Sequence, residues 1–571
     1  MSWPGTARER VSVKNVDSAI VQRLKTELNV PDAIAAILAG RKLETFESCR
    51  AFFRPDISQF HDPFLFRQME ISVERILLAI DRKEKIAVYG DYDVDGITST
   101  VLLIRVLRSL GADCFYFLPN RLVDGYGISI SGIEQVVASG AKLIISVDCG
   151  ITSNEEVRKA KSLGIDMIIT DHHEPKDDLP DAFSILDPKV ESCGYPDSRL
   201  AGVGVALKLC QGLGVKTARG EQLWKPYLDI AALGTAADIV PLTGENRIIA
   251  SLGFKMMPDT QHKGLRELIA QQGLQGKKIT TSQVVFGLAP CINAVGRLGN
   301  PNRGVELLLT DNDDDARRIA TELREANLER RSLDSTVAEE ACRRVIENCS
   351  PENDFVLVLG DQNWHAGVIG IVASKLVEKF FRPTVLFSIG PDGLAKGSGR
   401  SVPGLHLLDA LSGCADLLEG FGGHAAAAGV SIKSENIDAF RERFNSCVAS
   451  LLSPEDLTPS VVADAEIDLP QITPKFYRIV KEMEPFGPGN MRPVLFCRGL
   501  KHKYPPRIVG KNHLKLAVNG DGIVMDAIGF NLGERIDDLR RSEAVSLAFS
   551  LDENEWNGKT CLQMKLRGIS L

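Results

Sequence analysis

Short apolar segments alternate with stretches of helical length between residues 85 and 170 of this chain. The strand-like segments are residues 85–89, 114–118, 142–147 and 166–170, and residues 98–110 form an amphipathic stretch between the first two. Parallel strands need a crossover of helical length between them, so this alternation predicts a mostly parallel, doubly wound α/β sheet. Sheets of this kind bind ligands at the carboxyl ends of their strands.

The rest of the chain differs in pattern on either side of this α/β region, and its 571 residues favour three or four domains. We expect a helical lead-in, the α/β core, a charged linker helix, a second α/β domain and a small β-barrel of the OB type, with a hairpin at Asn557-Gly558. The expected boundaries are 1–70, 71–308, 309–350, 351–450 and 457–571.

Composition excludes several classes of protein. The apolar runs are far shorter than the ~20 residues of a membrane span, and the N-terminus lacks the apolar core of a signal peptide, so we expect a soluble cytoplasmic protein with no membrane partner. The 12 cysteines include no C-x-x-C pair, which argues against structural zinc and disulfides. A formal net charge of -8 is weak evidence against a nucleic-acid partner.

The first strand-like segment runs into DYDVDG, which contains Asp91, Asp93 and Asp95. This hexapeptide matches the start of an EF-hand calcium loop. However, the twelfth position of such a loop requires a glutamate and is Leu102 here, and a strand-like segment precedes the motif where an EF-hand has a helix. A calcium loop is therefore disfavoured, and a site at a sheet edge is favoured.

Two further strand-like segments end in side chains that can bind metals. Asp148 follows residues 142–147, and Asp171-His172-His173 follows residues 166–170. Read singly, Asp148 is typical of a helix N-cap, and the histidines are as typical of a packed loop as of ligands. Three such ends on one edge of one sheet make a shared metal site the better explanation.

The donor types indicate which metal this site would hold. Several carboxylates with one or two imidazoles and no thiolate suit manganese or magnesium better than structural zinc. A carboxylate shared by two ions would hold a dinuclear centre about 3.5 to 4 Å across, which clamps both oxygens of a phosphoryl displacement. We therefore expect hydrolysis of a phosphoester or a phosphoanhydride.

Five motifs in order resemble those of the DHH phosphoesterase family. They are DYDVDG, the Asp148-Cys149-Gly150 turn, Asp171-His172-His173, Ala236-Ala237-Asp238 and Asn293-Ala294-Val295-Gly296-Arg297. The added regions, with GSGRS and GGHAAAAG in the second α/β domain and FGPGN before the barrel, are most similar to the single-strand-specific DNA exonucleases of that family. The resemblance covers nearly the whole chain.

The resemblance implies roles for the residues at the sheet edge. It implies that the direct ligands of two Mn²⁺ or Mg²⁺ ions are Asp93, Asp95, Asp148, His172 and Asp238, with Asp148 shared between the ions. Asp91, Asp171 and His173 would hold the ligands in place or orient phosphate. From its pattern alone, Asp238 is a helix-terminal acid in an Ala-rich packing segment.

Substrate contacts are expected from two other motifs and a histidine. Arginine offers a planar fork to phosphate oxygens, and adjacent glycines let the backbone approach. The expected contacts are Asn293, Arg297, Ser398, Arg400 and His424. The alternative for each arginine is a solvated side chain in a turn, and the resemblance favours the functional role.

Basic residues recur in the predicted barrel with His502, Tyr504 and His513 among them. A basic groove with rings for stacking would bind single strands without reading their sequence. The predicted DNA-binding residues are Lys501, Lys503, Arg507, Lys511 and Lys515. The alternative is a solvated charged face.

The resemblance implies an exonuclease that degrades single-stranded DNA from 5′ to 3′ and releases mononucleotides, in DNA recombination and repair. Expected partners are single-stranded DNA, a single-strand-binding protein and a helicase, with the enzyme itself monomeric. Two alternatives stay open: a phosphatase acting on pyrophosphate or short oligonucleotides, and a non-catalytic DNA-binding scaffold.

Overall fold

The structure is a computed structural model that describes residues 10–119, 127–298, 300–556 and 559–571. The elements of the first half are β1 (Arg10–Val13), α1 (Ser18–Leu28), α2 (Asp32–Gly40), α3 (Phe46–Phe53), α4 (Met69–Asp81), β2 (Lys85–Tyr89), α5 (Val94–Ser109), β3 (Cys114–Phe117), α6 (Ile130–Ala138), β4 (Ala141–Val147), α7 (Asn154–Ser162), β5 (Asp166–Thr170), β6 (Ser184–Leu186), α8 (Gly202–Lys216), α9 (Leu228–Ala237), α10 (Gly244–Met256), α11 (Lys263–Gln271), α12 (Thr281–Gln283), a π-helical turn (Val284–Leu288), α13 (Ala289–Leu298) and α14 (Asn302–Leu309).

The second half begins with a long helix. Its elements are α15 (Asp313–Asn348), β7 (Leu357–Asp361), α16 (Ala366–Phe380), β8 (Thr384–Ile389), β9 (Leu394–Arg400), α17 (Leu407–Ser412), β10 (Gly420–Gly423), β11 (Ala427–Lys433), α18 (Ile437–Leu451), β12 (Ser460–Ala463), β13 (Ala465–Glu466), α19 (Pro474–Glu482), β14 (Leu495–Val509), β15 (His513–Gly520), β16 (Ile523–Gly529), α20 (Ile536–Arg541), β17 (Ala544–Trp556) and β18 (Lys559–Ser570).

The chain divides into two compact units, each made of separate stretches of sequence. The sheet unit comprises Glu47–Leu328 and Met483–Arg492. The barrel unit comprises Met1–Phe46, Glu329–Glu482 and Pro493–Leu571.

The sheet unit contains the predicted parallel sheet, with strand order β3-β2-β4-β5-β6 and every pairing parallel. Successive residues of β2 face opposite sides, so that Ile86 and Val88 belong to one apolar core and Ala87 and Tyr89 to another. Helices α4, α5 and α8 cover the first side, and α6 and α7 cover the second. The doubly wound fold class is therefore confirmed, and β6 is a fifth strand that the pattern did not predict.

Helix α5 begins earlier than the sequence indicated, within the DYDVDG motif. The pattern indicates an amphipathic stretch over residues 98–110, but the first residue of the helix is Val94. Asp93 is the N-cap, because its Oδ1 accepts hydrogen bonds from the backbone N–H groups of Asp95 at 2.9 Å and Gly96 at 3.1 Å. Asp95 thus lies in the first turn of a helix rather than at the end of a strand.

The second α/β domain lies in the barrel unit and has a mixed sheet of order β10-β11-β9-β8-β7. Only β7 and β8 pair in parallel, and the three remaining pairings are antiparallel. Helix α16 packs on one face and α18 on the other. This arrangement leaves β10, with its exposed glycines, at a sheet edge.

The C-terminal strands close into the predicted small barrel. The strand order β14-β15-β16-β18-β17 returns to β14 through the β14–β17 pairing, and β13 adds to the outside of β14. Strands β17 and β18 form an antiparallel hairpin that pairs as far as Trp556 and Lys559. The predicted turn residues, Asn557 and Gly558, lie outside the described residues.

One short strand in the N-terminal segment was not expected. We predicted a helical lead-in, but β1 precedes the helices and pairs in parallel with β12, with Arg10 opposite Ser460. Its partner lies far along the chain, so the local sequence pattern does not reveal the pairing. Among the described residues, the helices are all too short or too polar to cross a membrane.

Candidate metal centre

The predicted acids of the sheet unit converge at one edge of its parallel sheet. Asp91 follows β2, Asp148 follows β4 and His172 follows β5, while Asp238 caps the carboxyl end of α9. Three overlapping groups have side-chain donor atoms within 4.8 Å of one another: Asp148, His172 and His173; Asp95, His172 and Asp238; and Asp91, Asp93 and Asp148.

His172 lies at the centre of this cluster. Its Nε2 is 3.1 Å from Oδ1 of Asp148, 3.7 Å from Oδ2 of Asp238 and 4.0 Å from Oδ2 of Asp95. One imidazole nitrogen therefore faces carboxylates from three different parts of the chain. Asp238, which the sequence pattern alone did not distinguish, is brought to the same place.

The N-terminus of α8 fixes Asp95. The backbone N–H of Gly202 donates to Asp95 Oδ2 at 2.7 Å, and that of Val203 donates to Oδ1 at 2.8 Å. Free N–H groups at a helix N-terminus stabilise a negative charge. Both oxygens of this buried carboxylate are thus oriented by backbone donors from another helix.

Asp148 adopts a left-handed backbone conformation, with φ of 60°. Its N–H donates to the carbonyl of Thr170 at 2.9 Å, which continues the β4–β5 pairing by one residue. Aspartate is one of the few residue types that tolerate this conformation. A Cβ at Gly202 would lie 2.5 Å from Asp148 Oδ1, so only glycine leaves space for this side chain.

Asp171 and His173 form a second layer around the centre. Asp171 Oδ1 lies 2.7 Å from His173 Nδ1 and accepts the backbone N–H of His172 at 2.7 Å, while Oδ2 accepts that of Ile151 at 2.9 Å. Asp171 thus ties the loop after β4 to the loop after β5. Its hydrogen bonds are therefore directed at the backbone of Ile151 and His172 and at the ring of His173.

The buried carboxylates resist ionisation when they face one another alone. Burial, followed by the charges of Asp238 and Asp93, raises the pKa of Asp95 well above its usual value. Burial and the neighbouring aspartates, Asp95 foremost, raise the pKa of Asp148 in the same direction. Burial, with Asp93 next, raises the pKa of Asp238 to about 7.

The pKa values of His172 and His173 are shifted in opposite directions. Burial and the charge of His173 lower the pKa of His172 to about 3, so this imidazole is neutral and able to bind a cation. Burial alone would lower the pKa of His173, but the hydrogen bond and charge of Asp171 raise it to about 9. The same contact with His173 outweighs burial and lowers the pKa of Asp171.

The donor set fits divalent cations. Among the described residues, Asp148 Oδ1, His172 Nε2 and Asp238 Oδ2 are buried side-chain atoms that accept or donate no hydrogen bond. Buried polar atoms are normally paired, so such a group of convergent atoms requires an explanation. Hard carboxylate oxygens with one neutral imidazole suit Mn²⁺ or Mg²⁺.

The Asn293 helix packs beside the DYDVDG motif. Asn293 is half-buried in α13, and a Cβ at Gly296 of the same helix would lie 3.1 Å from the carbonyl oxygen of Tyr92. This close approach sets α13 against the backbone of the DYDVDG motif. The side chain of Arg297 lies outside the described residues.

Ser398 and Arg400 lie together on β9 of the barrel unit. Arg400 Nη1 donates to Ser398 Oγ at 3.0 Å and to the carbonyl of Gly399 at 2.7 Å. A Cβ at Gly370 of α16 would come within 2.9 Å of both side chains. The exposed His424 follows β10, and its N–H donates to the carbonyl of Ala427 at 2.8 Å.

Four of the five predicted basic residues of the barrel are exposed: Lys501, Lys503, Arg507 and Lys511. Lys515 is half-buried and pairs with Asp526 at 2.8 Å. Of the three interleaved rings, Tyr504 is 64% exposed, whereas both ring nitrogens of His502 are buried. Only part of the predicted stacking surface therefore faces solvent.

The barrel also has an exposed ring that sequence reasoning missed. Phe530 follows β16 and is 50% exposed; its ring centroid lies 5.1 Å from that of His513 in an edge-to-face contact, and Lys565 Nζ lies 5.2 Å from the same centroid. These three residues come from separate strands or turns. The only local signal was an apolar residue at a strand end.

A cavity of about 710 Å³ adjoins the metal cluster and was also missed. His172 lines one side of it, and Lys189, Arg199 and Pro241 are among the other lining residues. Both basic side chains have acidic neighbours, because Lys189 contacts Glu174 and Arg199 contacts Asp197. Their positive charges are therefore partly compensated.

Comparison with protein families finds three matches along the chain. The DHH family N-terminal domain matches residues 85–235, the DHHA1 domain matches residues 353–450 and the RecJ OB domain matches residues 463–568. The first match contains all the cluster residues except Asp238.

Curated relatives cover most of the chain. The single-stranded-DNA-specific exonuclease RecJ of Bacillus subtilis is 36% identical over 567 residues, which is 99% of this chain and 71% of that protein. The protein of the same name from Escherichia coli is 37% identical over 523 residues, or 88% of this chain and 90% of that protein.

The fold is also similar to a solved structure. RecJ from Thermus thermophilus in complex with Mn²⁺ superposes with a TM-score of 0.84 at 29% sequence identity, covering 99% of this chain and 79% of that chain. A structure of that protein with Mg²⁺ matches with a TM-score of 0.76 at 28% identity, over 98% of this chain and 78% of that chain.

Replacing Gly202 by alanine tests the packing of the cluster. Gly202→Ala would drive a methyl group into Asp148, so we expect the dissociation constant for Mn²⁺ to rise by roughly 10-fold or more, as for other changes beside metal ligands. Isothermal titration of the metal-free protein measures this. Gly204→Ala is the matched control, because the nearest atoms to its methyl group belong to Leu200, at 3.0 Å, and Ile249, at 3.7 Å, rather than to Asp148. Equal Mn²⁺ affinity in Gly202→Ala and Gly204→Ala would contradict the assignment of Asp148, packed against Gly202, to the metal cluster.

The raised pKa of Asp238 predicts that the stability of the metal-free protein depends on pH. Because its pKa in the folded state is raised to about 7, the folded state binds the proton more tightly, and stability falls as pH rises from the unfolded value toward 7. The slope is at most about 1.4 kcal/mol per pH unit. Thermal unfolding between pH 5.5 and 7 should show a smaller loss of Tm in Asp238→Asn, and saturating Mn²⁺ should remove the difference. An identical dependence of Tm on pH in the wild-type protein and in Asp238→Asn would refute this prediction.

Proposed function

The chain belongs to the RecJ family of single-stranded-DNA-specific exonucleases, and from that premise we propose that its metal cluster hydrolyses phosphodiester bonds of single-stranded DNA from the 5′ end. The released product is a mononucleotide, and the role is in recombination and repair. The observation that carries the proposal is the convergence of Asp148, His172 and Asp238 around unpaired buried donor atoms.

The proposed metal ligands are Asp93, Asp95, Asp148, His172 and Asp238. These residues would hold two divalent cations, which would lower the pKa of an attacking water and offset the negative charge that develops on the phosphate. The neutral state of His172 and the orientation of Asp95 by α8 support this assignment. Burial and then the charges of neighbouring aspartates raise the pKa values of Asp95, Asp148 and Asp238, and cations held there would offset those charges.

We assign His173 and Asp171 to the phosphate side of the reaction. With a pKa raised to about 9, His173 carries a proton at neutral pH and can donate it to a phosphate oxygen. Asp171 holds the imidazole through Nδ1 at 2.7 Å and so fixes the orientation of the ring. Asp91 belongs to the same group by its place beside Asp93 and Asp148.

Substrate contacts are proposed for the motifs outside the cluster. Asn293 on α13 and the Ser398–Arg400 pair on β9 would bind the DNA backbone, because an arginine held by a neighbouring hydroxyl presents an ordered fork to phosphate. His424, exposed at a sheet edge, would contact a nucleotide. Arg297 is assigned on the resemblance alone.

The barrel is proposed to hold the strand that is being degraded. Exposed lysines on β14 would bind phosphates, and Tyr504 and Phe530 would stack on bases without reading sequence. The negative net charge of the chain is compatible with DNA binding, because binding depends on the charge of the surface that contacts the strand, and this face of the barrel is basic.

The division into lead-in, core, linker, second α/β domain and barrel remains our proposal for how these tasks are separated. We also propose that the protein acts as a monomer in the bacterial cytoplasm, where a helicase exposes single strands and a single-strand-binding protein covers them. An enzyme restricted to single strands requires such a supply.

End-labelled oligonucleotides test the proposed reaction and its polarity. With Mn²⁺, a 5′-labelled single strand should release labelled mononucleotide at the earliest time point, whereas a 3′ label should appear only late. Asp148→Asn should abolish release, because it removes a charge shared by two of the donor groups, yet keep strand binding. Release from the 3′ end first, or equal attack on duplex, would refute the proposal.

Two outcomes of that assay would instead favour the alternatives. A phosphatase for small substrates would turn over a dinucleotide faster than a long strand. A non-catalytic scaffold would bind the strand but release no label, with the wild-type protein and Asp148→Asn behaving alike.

The barrel surface is tested by changing Phe530 and Lys565. Phe530→Ala should weaken binding to single-stranded DNA by about 1–3 kcal/mol, the usual contribution of one stacked base. Lys565→Gln should lower the salt slope of log K by about 0.7, the contribution of one phosphate contact. Arg498→Gln is the charge-matched control, since that guanidinium already pairs with Glu466 at 2.7 Å. Unchanged binding in Phe530→Ala would exclude a stacking role.

A further inference from the structure

Residues Met483–Arg492, which include the FGPGN motif, belong to the sheet unit although the residues on both sides of them belong to the barrel unit. The motif carries no chemistry in the reaction proposed above. Its contacts instead reach the turn that follows Asp238, the proposed metal ligand at the end of α9.

Arg247 of α10 holds the beginning of this segment. Its Nη2 donates to the carbonyl of Glu484 at 3.0 Å and its Nη1 to that of Pro485 at 3.4 Å. Its Nε donates to the carbonyl of Phe52 at 2.8 Å, and the guanidinium carbon lies 3.8 Å from the Phe52 ring centroid. The arginine is only 3% exposed, and its planar fork joins Glu484 and Pro485 to Phe52 within the sheet unit.

Asn490 closes the segment on itself. Its Nδ2 donates to the carbonyls of Met483 at 2.9 Å and Pro485 at 2.8 Å, and the residue is 1% exposed. The backbones of Gly487 and Asn490 also form a mutual bridge. The segment is therefore a closed loop with a fixed shape rather than a loose connection.

This loop contacts the turn after Asp238 directly. The N–H of Leu242 donates to the carbonyl of Pro488 at 2.7 Å. A Cβ at Gly487 would lie 2.6 Å from Leu242 Cδ1, and one at Gly489 would lie 3.1 Å from Pro241 Cβ. The glycines of the motif are thus needed for close approach to residues 241 and 242.

The turn itself adopts an unfavourable backbone conformation. Ile239, next to Asp238, has φ of 65°, and its side chain is 61% exposed, so its own packing does little to hold it there. A β-branched residue avoids the left-handed region, and surrounding structure must impose it. Pro488 acts from one side, and from the other Asn246 Nδ2 donates to the carbonyls of Pro241 at 3.1 Å and Arg199 at 2.6 Å.

We propose that the Met483–Arg492 loop, held by Arg247 and Asn490, is a positioning element that keeps the turn after Asp238 in its left-handed form and thereby aims Asp238 at the metal cluster. The inference rests on the proposed function, because it takes Asp238 as a metal ligand. Arg247 and Asn490 touch neither substrate nor metal and act only through the turn.

Manganese affinity of the full-length protein tests this, measured from the loss of the free Mn²⁺ EPR signal at a temperature well below unfolding. Asn490→Asp keeps the size of the side chain but replaces both donated bonds by repulsion, and should raise the dissociation constant roughly 10- to 100-fold, the range for residues that position metal ligands. Lys278→Met is the control, since it removes only the exposed ion pair with Glu484 and should leave affinity unchanged.

A rescue experiment separates positioning from general loss of stability. In the double variant Asn490→Asp/Ile239→Gly, glycine accepts the left-handed conformation without being forced, so most of the Mn²⁺ affinity should return. Asn490→Asp/Ala218→Gly relieves a left-handed residue, with φ of 54°, that lies outside this turn, and should not restore affinity. Rescue by both glycines, or by neither, would overturn the proposal.

Two further variants complete the design. Gly487→Ala pushes the loop against Leu242 without touching Asn490, and it should weaken Mn²⁺ binding even if Asn490→Asp fails to fold; wild-type affinity would overturn the proposal. Asp238→Asn checks the premise. If it binds Mn²⁺ like wild type, the ligand assignment fails; if it weakens binding while Asn490→Asp and Gly487→Ala do not, the positioning role fails alone.

Discussion

The mutual repulsion of several buried carboxylates is the constraint on which the sheet unit depends. Asp95, Asp148 and Asp238 have raised pKa values, first because each is buried and then because of nearby carboxylates, of which Asp93 acts on all three. Such a cluster persists only where backbone donors, other side chains and bound cations oppose the repulsion. The edge of a parallel sheet brings the acids together, and the N–H groups at the start of α8 turn Asp95 toward the others.

The sheet and most of the cluster follow from local pattern. Apolar strands separated by helices predict parallel pairing, and acids at the ends of β2, β4 and β5 then meet because carboxyl ends of parallel strands share one edge. The same argument does not identify Asp238 as a member of the cluster. It lies at the end of a helix, and only the packing of α9 against α5 and α8 brings it to His172.

Other features depend on contacts between distant segments. Gly202 is one of many glycines in the sequence, and only the position of Asp148 shows why it cannot be larger. In the barrel, the alternation of charged and aromatic residues predicted a binding face, but a register shift in the β14–β15 pairing between His502 and Tyr504 changes which side chains point outward. Phe530 and Lys565 meet only because β16 pairs with β18.

The discontinuous make-up of the two units has a consequence for how the protein is synthesised. Because residues 483–492 complete the sheet unit, its earlier part leaves the ribosome long before its last segment does. Likewise, β1 cannot form its strand pairing until β12 has been synthesised. Domains usually fold in order from the N-terminus as they emerge. Here the sheet unit cannot reach its full set of contacts until translation has passed residue 492, so its last segment is made only after the whole of the second α/β domain.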